Sequence, residues 1–247
     1  MDEGLARHVA TLVATWEAFA RTAVRDAAPS AAGDDAGRRR PPGRVVRGPA
    51  WVAARLPDPV LCNALLLEPD AGAVRAVQDV YGAGGRYALW THDGPTAAVA
   101  ETAGLVRDAT TRAMLCRLDT LRPAVDGGGL VFEDDVDPAR VALLNGVPTE
   151  LVAGVSGLRA LVAGRDAEDV AGVLTFRHGD DLNVSFLVTR PDARRAGIAG
   201  ALMTRALRDA RDRGARTATL QATTDGESLY RRLGFVPVGR WQEWVPA

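Results

Sequence analysis

The first residues of the chain alternate between apolar and polar side chains with the period of a helix. Leu5, Val9, Leu12 and Trp16 recur at three- and four-residue spacing, which places them on one helix face. The pattern predicts an amphipathic helix within residues 1–28. Residues 29–50 break the pattern because they are rich in Ala, Gly, Pro and Arg. That composition is typical of a mobile linker.

A first series of alternating elements follows in residues 51–128. Apolar runs with strand character alternate there with stretches of helical spacing. The pattern predicts strands at 59–68, 86–90 and 111–118 and helices at 71–81 and 96–105. Gly127, Gly128 and Gly129 then predict a hinge.

A second series of elements occupies residues 129–247. Helical segments are expected over 137–163. The pattern further predicts strands at 130–135, 169–178, 182–189, 217–223 and 236–244 and helices at 197–213 and 226–233. Both series share the order strand, helix, strand, helix, strand. We therefore expect an α/β (α+β) fold, with a central mixed sheet flanked by helices and two related halves.

Composition narrows the class of protein without indicating a chemistry. The chain has 247 residues, 47% of them apolar, and a formal net charge of −1. This balance excludes a globally basic nucleic-acid coat. All 30 basic residues are Arg, which fits either selection for bidentate anion binding or the coding bias of a GC-rich genome. The abundance of Ala, Gly and Pro favours the coding bias.

The cysteines and histidines do not form a recognisable site. Cys62 and Cys116 lie far apart in apolar runs, so we expect neither a disulfide framework nor a zinc site. His8, His92 and His178 lack the spacing of metal ligands. Because the sequence shows neither a signal peptide nor an apolar run of membrane-spanning length, we expect a cytoplasmic protein without a metal.

The candidate chemistry lies where the strand at 182–189 leads into the helix at 197–213. Pro191 ends the strand, and Arg194, Arg195, Gly197 and Gly200 follow at the start of the helix. The first N–H groups of a helix lack partners and attract anions. Glycines allow close approach of the backbone, and arginines add positive charge. A pyrophosphate fits this pattern; a simple turn with solvated arginines is the alternative.

Two motifs give this segment a family resemblance. Residues 194–199 read Arg-Arg-Ala-Gly-Ile-Ala, and residues 228–235 read Ser-Leu-Tyr-Arg-Arg-Leu-Gly-Phe. They resemble the acyl-CoA-binding loop and the LYxxxGF signature of the Gcn5-related N-acetyltransferase (GNAT) family. The resemblance is specific for residues 129–247. Residues 51–128 resemble a degenerate copy of the same fold, which suggests a tandem form. Their Gly-rich run at 82–85 follows a predicted helix, so we interpret it as a turn.

The resemblance implies a role for each motif. It places the pantetheine arm of acetyl-CoA along Leu187, Val188 and Thr189, with a backbone N–H near Val188 stabilising the oxyanion. It makes Tyr230 the acid that protonates the departing thiolate, although this side chain could also serve only in packing. It also places the pyrophosphate at the loop and helix start formed by Arg194, Arg195, Ala196, Gly197, Ile198, Ala199 and Gly200.

The general base stays open at this point. The family often carries a Glu in the strand before the loop, but this strand has no carboxylate. The nearby titratable candidates are Asp180, Asp181, His178 and Glu227, and a water-mediated route or an amine that arrives neutral is equally compatible. Thr223 stands where the family commonly has Asn, which puts that cofactor contact in doubt.

The resemblance as a whole implies an enzyme that moves an acetyl group from acetyl-CoA to a primary amine of a small molecule. One alternative keeps the fold with another donor, a longer acyl-CoA or an aminoacyl-tRNA, whose RNA would contact the Arg-rich residues 38–47. A second is a non-catalytic CoA-binding module. We expect no membrane partner, no nucleic acid other than such a tRNA, and a monomer or homodimer.

Overall fold

The computed structural model describes residues 1–25, 43–124 and 129–247. Residues 29–42 of the predicted linker and the hinge residues Gly127 and Gly128 lie outside these ranges. The linker prediction is wrong for its last part, because Arg44–Gly48 is a strand. Val45 and Val46 pair there with Ala54 and Ala53 of the next strand, and β-branched residues favour this conformation.

The helices and strands within the described ranges are numbered in chain order. The helices are α1 (Glu3–Arg25), α2 (Ala71–Tyr81), α3 (Gly94–Thr102), α4 (Pro138–Leu144), α5 (Ile198–Asp212) and α6 (Thr224–Leu233). The strands are β1 (Arg44–Gly48), β2 (Trp51–Arg55), β3 (Asn63–Leu66), β4 (Ala88–Thr91), β5 (Leu105–Arg117), β6 (Val131–Val136), β7 (Leu158–Arg165), β8 (Glu168–His178), β9 (Asp181–Thr189), β10 (Thr217–Ala222) and β11 (Val236–Pro246).

The chain forms two compact units, and each unit combines two chain segments. Unit 1 consists of Met1–Thr15 and Arg112–Gly239, and unit 2 consists of Trp16–Thr111 and Arg240–Ala247. The units therefore do not coincide with the two halves of the sequence. No helix within the described ranges is long and apolar enough to span a membrane.

Unit 1 is built on a mixed sheet in the order β5-β10-β9-β8-β7-β6. Strands β9 and β10 are parallel, and the other neighbouring pairs are antiparallel. Helices α4 and α5 pack on this sheet. Fully buried Leu161, Val173, Leu202 and Leu207 join sheet and helix in one core. Burying such apolar surface is the main stabilising contribution.

Residues 158–163 correct the prediction of helix over 137–163. They belong to strand β7, which pairs with both β6 and β8. Residues 160–163 are a continuous apolar run, and all four are buried. Periodicity alone does not separate such a strand from a buried helix.

Unit 2 repeats the layered arrangement with the order β1-β2-β3-β4-β11, where β3 and β4 are parallel. Its core includes Leu66, Val77, Leu89 and Trp244. The strand predicted at 59–68 is shorter than expected, since Pro59 begins a 3₁₀ turn and β3 starts only at Asn63.

Each unit contains a strand from the other half of the sequence. In unit 1, residues 112–117 of β5 pair antiparallel with β10. In unit 2, Gln242, Glu243 and Trp244 of β11 pair antiparallel with β4. The two halves of the sequence have thus exchanged their last strands.

Candidate functional site

Strands β9 and β10 of unit 1 separate before either one ends. Their parallel pairing runs from Asp181↔Thr217 to Val184↔Leu220 and stops there. Strand β9 continues to Thr189, so residues 185–189 have no register partner on the β10 side. At about 3.3 Å per residue, this unpaired stretch spans roughly 16 Å. An extended ligand could take the place of the missing strand partner.

A β-bulge lies where the two strands separate. On the β8 side, Ser185 faces Leu174 and Val188 faces Gly172. Two residues of β9 therefore oppose the single residue between Gly172 and Leu174, which is the definition of a bulge. Within it, Phe186 has a φ of 53°, an uncommon value for a bulky side chain.

The backbone after the bulge presents polar groups to the open side. Arg190 donates its N–H to the carbonyl of Val170 on β8, at 2.9 Å. Because successive N–H groups of a regular strand point to alternate sides, the N–H of Thr189 points away from β8 and that of Val188 points toward it. The hydroxyl of Thr189 is buried and makes no hydrogen bond within the described ranges.

The loop after β9 ends at an open helix N-terminus. Arg195 has a φ of 61° and Gly197 a φ of 77°, so the chain turns sharply before α5 begins at Ile198. Apart from its neighbours along the chain, no atom of the described residues lies within 4 Å of the position that a Cβ on Gly197 would occupy. The N–H groups of the first turn of α5 lack intrahelical acceptors. An anion can therefore approach them across Gly197.

Gly200 lies where α5 is closely packed. A Cβ at this position would lie 3.0 Å from the Cβ of Ala124 and 3.6 Å from Cδ1 of Leu229. The missing side chain thus allows close packing of α5 against neighbouring segments.

The arginines around the loop are not equivalent. Arg190 forms ion pairs with Glu168, at 2.6 Å, and with Asp192, at 2.8 Å. Arg194 donates its Nε–H to the carbonyl of Thr189 at 3.2 Å. Neither Arg194 nor Arg195 pairs with a carboxylate of the described residues, which leaves both charges available to an anionic ligand.

Tyr230 lies on α6, the helix that follows β10. Its ring meets that of Phe235 edge-on, with centroids 5.8 Å apart, and it packs against the core of unit 1. Burial raises the pKa of the phenol to about 12. Tyr230 is therefore protonated at neutral pH, as a proton donor must be.

Three of the four candidate bases lie at the wrong end of β9. Asp181, the first residue of β9, is eight residues from Thr189, or roughly 26 Å along the strand. It is only 2% exposed and accepts hydrogen bonds from Thr217, at 2.6 Å, and Thr219, at 2.8 Å. Burial raises the pKa of the Asp181 carboxyl.

The neighbours of Asp181 are also remote from the end of β9. Asp180 pairs with Arg7 at 2.6 Å, and the hydrogen bond from that guanidinium lowers the pKa of its carboxyl. His178 ends β8 beside the same turn. Only Glu227 lies near the reacting end by position, three residues before Tyr230 on α6, where it accepts hydrogen bonds from Arg231.

The structure also shows the contacts of Thr223 and of the Gly-rich run at 82–85. Thr223 caps the N-terminus of α6, because its side chain accepts the N–H of Gly226 at 3.3 Å. In unit 2, Gly82 follows the last residue of α2, and the N–H of Gly85 bonds to the carbonyl of Gly82 at 3.1 Å. The interpretation of residues 82–85 as a turn is confirmed. Among the residues described, no cluster could hold a metal ion.

Asn145 is a site residue that sequence reasoning missed. It ends α4 and donates a side-chain hydrogen bond to the carbonyl of Phe186 in the bulge, at 3.0 Å. Its only sequence signal is the pair Asn145-Gly146, which is typical of a helix end.

Comparisons with known proteins agree with this geometry. Residues 156–237 match the family model of the acetyltransferase (GNAT) domain. A GCN5-related N-acetyltransferase from Kribbella flavida is 18% identical, with 95% of both chains covered and a TM-score of 0.67. One from Sphaerobacter thermophilus is 18% identical over 98% of this chain and 91% of that chain, with a TM-score of 0.61.

A tandem GNAT protein from the clavulanic acid biosynthesis pathway is also similar. It is 18% identical over 95% of this chain and 94% of that chain, with a TM-score of 0.54. No curated protein matches the chain in sequence. The chain therefore has the GNAT fold, and the residues that match the acetyltransferase (GNAT) domain model include both sequence motifs.

Proposed function

Starting from this GNAT domain, we propose that the protein is an N-acetyltransferase that moves an acetyl group from acetyl-CoA to a primary amine of a small molecule. The observation that carries the proposal is the separation of β9 from β10 beside the open N-terminus of α5. A linear ligand with an anionic group at one end fits a groove that ends in unpaired N–H groups.

The residues of this groove suit the parts of acetyl-CoA. In the proposal, the backbone of Leu187, Val188 and Thr189 holds the pantetheine arm in place of a strand partner. The hydroxyl of Thr189 has no hydrogen-bond partner among the described residues. This supports a polar ligand there, because a buried polar atom without a partner is costly. The thioester supplies an activated acyl group.

The pyrophosphate is proposed to lie at the start of α5. The N–H groups from Arg195 to Gly200 would face it, with Gly197 leaving the approach open. The helix dipole favours negative charge at this end. Arg194 and Arg195 would add two positive charges, and neither is neutralised by an acid of the described part of the chain.

Two groups are proposed to act at the acyl group. The N–H groups on the open side of β9 would bond the acyl oxygen as it gains negative charge. Tyr230 would donate its proton to the departing sulfur, for which its raised pKa keeps it protonated. We propose no base from the turn at 178–181, so the amine either arrives neutral or loses its proton through Glu227 or water.

We also propose that the two halves of the chain are related. Its β3–α2–β4 segment repeats the strand–helix–strand order of β9–α5–β10. This supports two GNAT-like halves, a degenerate one over 51–128 and a donor-binding one over 129–247. Arg47, which the tRNA alternative would use, lies in β1, where its exposed side chain pairs with Glu17 at 2.5 Å.

A thiol-release assay with acetyl-CoA and a panel of primary amines tests the proposal. We expect amine-dependent release of CoA, which is lost together with CoA binding when Arg194→Glu is combined with Gly197→Glu. Arg208→Glu, an exposed charge reversal on the same helix, is the matched control and should retain both.

Different failures of this assay point to different alternatives. A folded protein that does not bind CoA would overturn the proposal. CoA binding without turnover of any amine would indicate the non-catalytic module. Salt-dependent binding of tRNA, with turnover only of an aminoacylated form, would indicate the other donor.

A further inference from the structure

The bulge in β9 holds an aromatic residue in an unfavourable backbone conformation. Phe186 has a φ of 53°, a region that L-residues with large side chains rarely occupy. Such a conformation persists only where the surrounding structure enforces it.

The side chain of Asn145 provides that enforcement. Its Nδ2 donates to the carbonyl of Phe186 at 3.0 Å and to the carbonyl of Val141 at 2.9 Å. One amide group thus joins the last turn of α4 to the bulge. Because both N–H groups of Nδ2 are used, the orientation of the amide group is fixed.

A glycine in β8, Gly172, allows α4 to pack close to the bulge. A Cβ on Gly172 would lie 3.0 Å from Cγ2 of Val141 and 3.1 Å from Cδ1 of Leu144. Gly172 faces Val188, directly beside the bulge. The absence of a side chain at this position therefore allows α4 to lie close enough for Asn145 to contact Phe186.

The contact lies immediately before the backbone groups assigned to the acyl donor. Pairing of β9 with β10 ends at Val184, and the unpaired stretch includes Phe186, Leu187 and Thr189. Rotation of the peptide at Phe186 would redirect the N–H of Leu187, which belongs to the same peptide group as the Phe186 carbonyl.

We infer that Asn145 is a positioning residue for the reaction: by holding the Phe186 carbonyl, it aims the N–H of Leu187 at the acyl oxygen. This inference rests on the proposed function. The structure separates the two ends of the donor site, because the pyrophosphate region belongs to α5 and the acyl region to the bulge. Loss of Asn145 should therefore affect turnover more than CoA binding.

Asn145→Ala tests the inference, with Asp137→Ala as a matched control. Asp137 caps the other end of the same helix, where its carboxylate accepts the N–H of Ala139 at 2.9 Å. Both variants remove a capping contact of α4, but only the first removes the bond to Phe186. We expect Asn145→Ala to lower kcat between about 10-fold and 100-fold, since small misplacements of reacting groups have effects of this size.

The remaining readouts distinguish positioning from a structural role. The Kd for CoA should change less than about threefold in both variants, and kcat of Asp137→Ala should stay close to that of the wild type at a comparable loss of Tm. Equal kcat values in the two variants would overturn the inference.

Amide hydrogen exchange gives a result that does not depend on turnover. Exchange in residues 185–189 should accelerate in Asn145→Ala and not in Asp137→Ala, because only the first variant releases the bulge. Unchanged exchange there would also overturn the inference. If the wild type turns over no amine while exchange responds as expected, the proposed function fails and the contact between Asn145 and the bulge stands.

Discussion

The segments β9–α5 in unit 1 and β3–α2 in unit 2 have the same order of elements but differ in how their strands pair. Strand β3 pairs with β4 over its whole length, from Asn63↔Ala88 to Leu66↔Thr91, whereas β9 leaves β10 at Val184. One sheet keeps its strands together and the other opens. Only the open one offers unpaired backbone to a ligand.

The helix that follows shows the same contrast. In unit 2, the carboxylate of Asp70 accepts the N–H of Gly72 at 2.7 Å, so an acid of the protein itself occupies the start of α2. In unit 1, the corresponding position is Gly197, which leaves the N–H groups open. The two helix starts thus differ in one carboxylate, which satisfies an N–H group at the start of α2 and has no counterpart at Gly197.

The strongest test of this comparison gives α5 the cap of α2. Gly197→Asp would add a carboxylate where the pyrophosphate is proposed to bind and would strain a backbone with a φ of 77°. We expect the Kd for CoA, measured by calorimetry, to rise by at least about 100-fold.

Two controls separate the causes of that loss. Gly197→Ala adds the strain without the charge, and Arg208→Gln changes the net charge equally at an exposed position of the same helix. Gly197→Ala should weaken binding less than Gly197→Asp, and Arg208→Gln should have no effect. Unchanged affinity in Gly197→Asp would contradict the proposed pyrophosphate site.

The helices after the second parallel strand differ as well, since α6 carries Tyr230 and α3 carries no aromatic residue. Tyr230→Phe should lower kcat by about 100-fold, the usual size of a lost proton donor, with little change in the Kd for CoA. A variant with unchanged kcat would show that Tyr230 serves only in packing.

The pH profile of the wild type sharpens the same assignment. The phenol loses its proton only as the pH rises toward its pKa of about 12. The rate should therefore show no decline caused by this group up to about pH 10, the ordinary range of an unperturbed tyrosine. A decline below that pH that disappears in Tyr230→Phe would contradict the raised pKa.

The reverse experiment removes the carboxylate from unit 2. Asp70→Ala should lower the free energy of unfolding by about 1 kcal/mol, the typical value for a lost N-cap, without creating a CoA site, because β3 and β4 stay paired. Calorimetry should give the same CoA stoichiometry as for the wild type. A second binding site would show that the cap alone distinguishes the two segments.

The smallest effect is expected at Gly200, where packing explains the glycine. Gly200→Ala would bring a Cβ to 3.0 Å from that of Ala124 and should cost about 1 kcal/mol of stability. The Kd for CoA, measured below the unfolding transition, should change less than about threefold. A much larger loss of affinity would show that the missing side chain of Gly200 also serves the approach of the ligand.

Local signals made part of this structure predictable. The helix α5, its glycine-rich start and the position of Tyr230 depend on residues within a few positions of each other, so their spacing in the sequence is informative. The GNAT fold followed from the two motifs that these residues form. Strand β7 was missed because its apolar run has no distinguishing period.

The remaining features depend on residues far apart in the sequence. Asn145 contacts Phe186, which lies 41 positions later in the sequence. The missing side chain of Gly172 allows α4 to lie close enough for this contact. Asp181 is buried by partners on β10, which no pattern around residue 181 indicates. Such contacts are properties of the tertiary structure, and local propensity carries no information about them.

The exchange of last strands constrains the order in which the protein can form during synthesis. Strand β4 of unit 2 receives its neighbour β11 only when residues 242–244 have left the ribosome, long after β1, β2 and β3 are available. Until then its edge is an exposed template for wrong pairing. Unit 2 can therefore complete its sheet only after the second half of the chain has been synthesised, and the edge of β4 stays open to other strands until then.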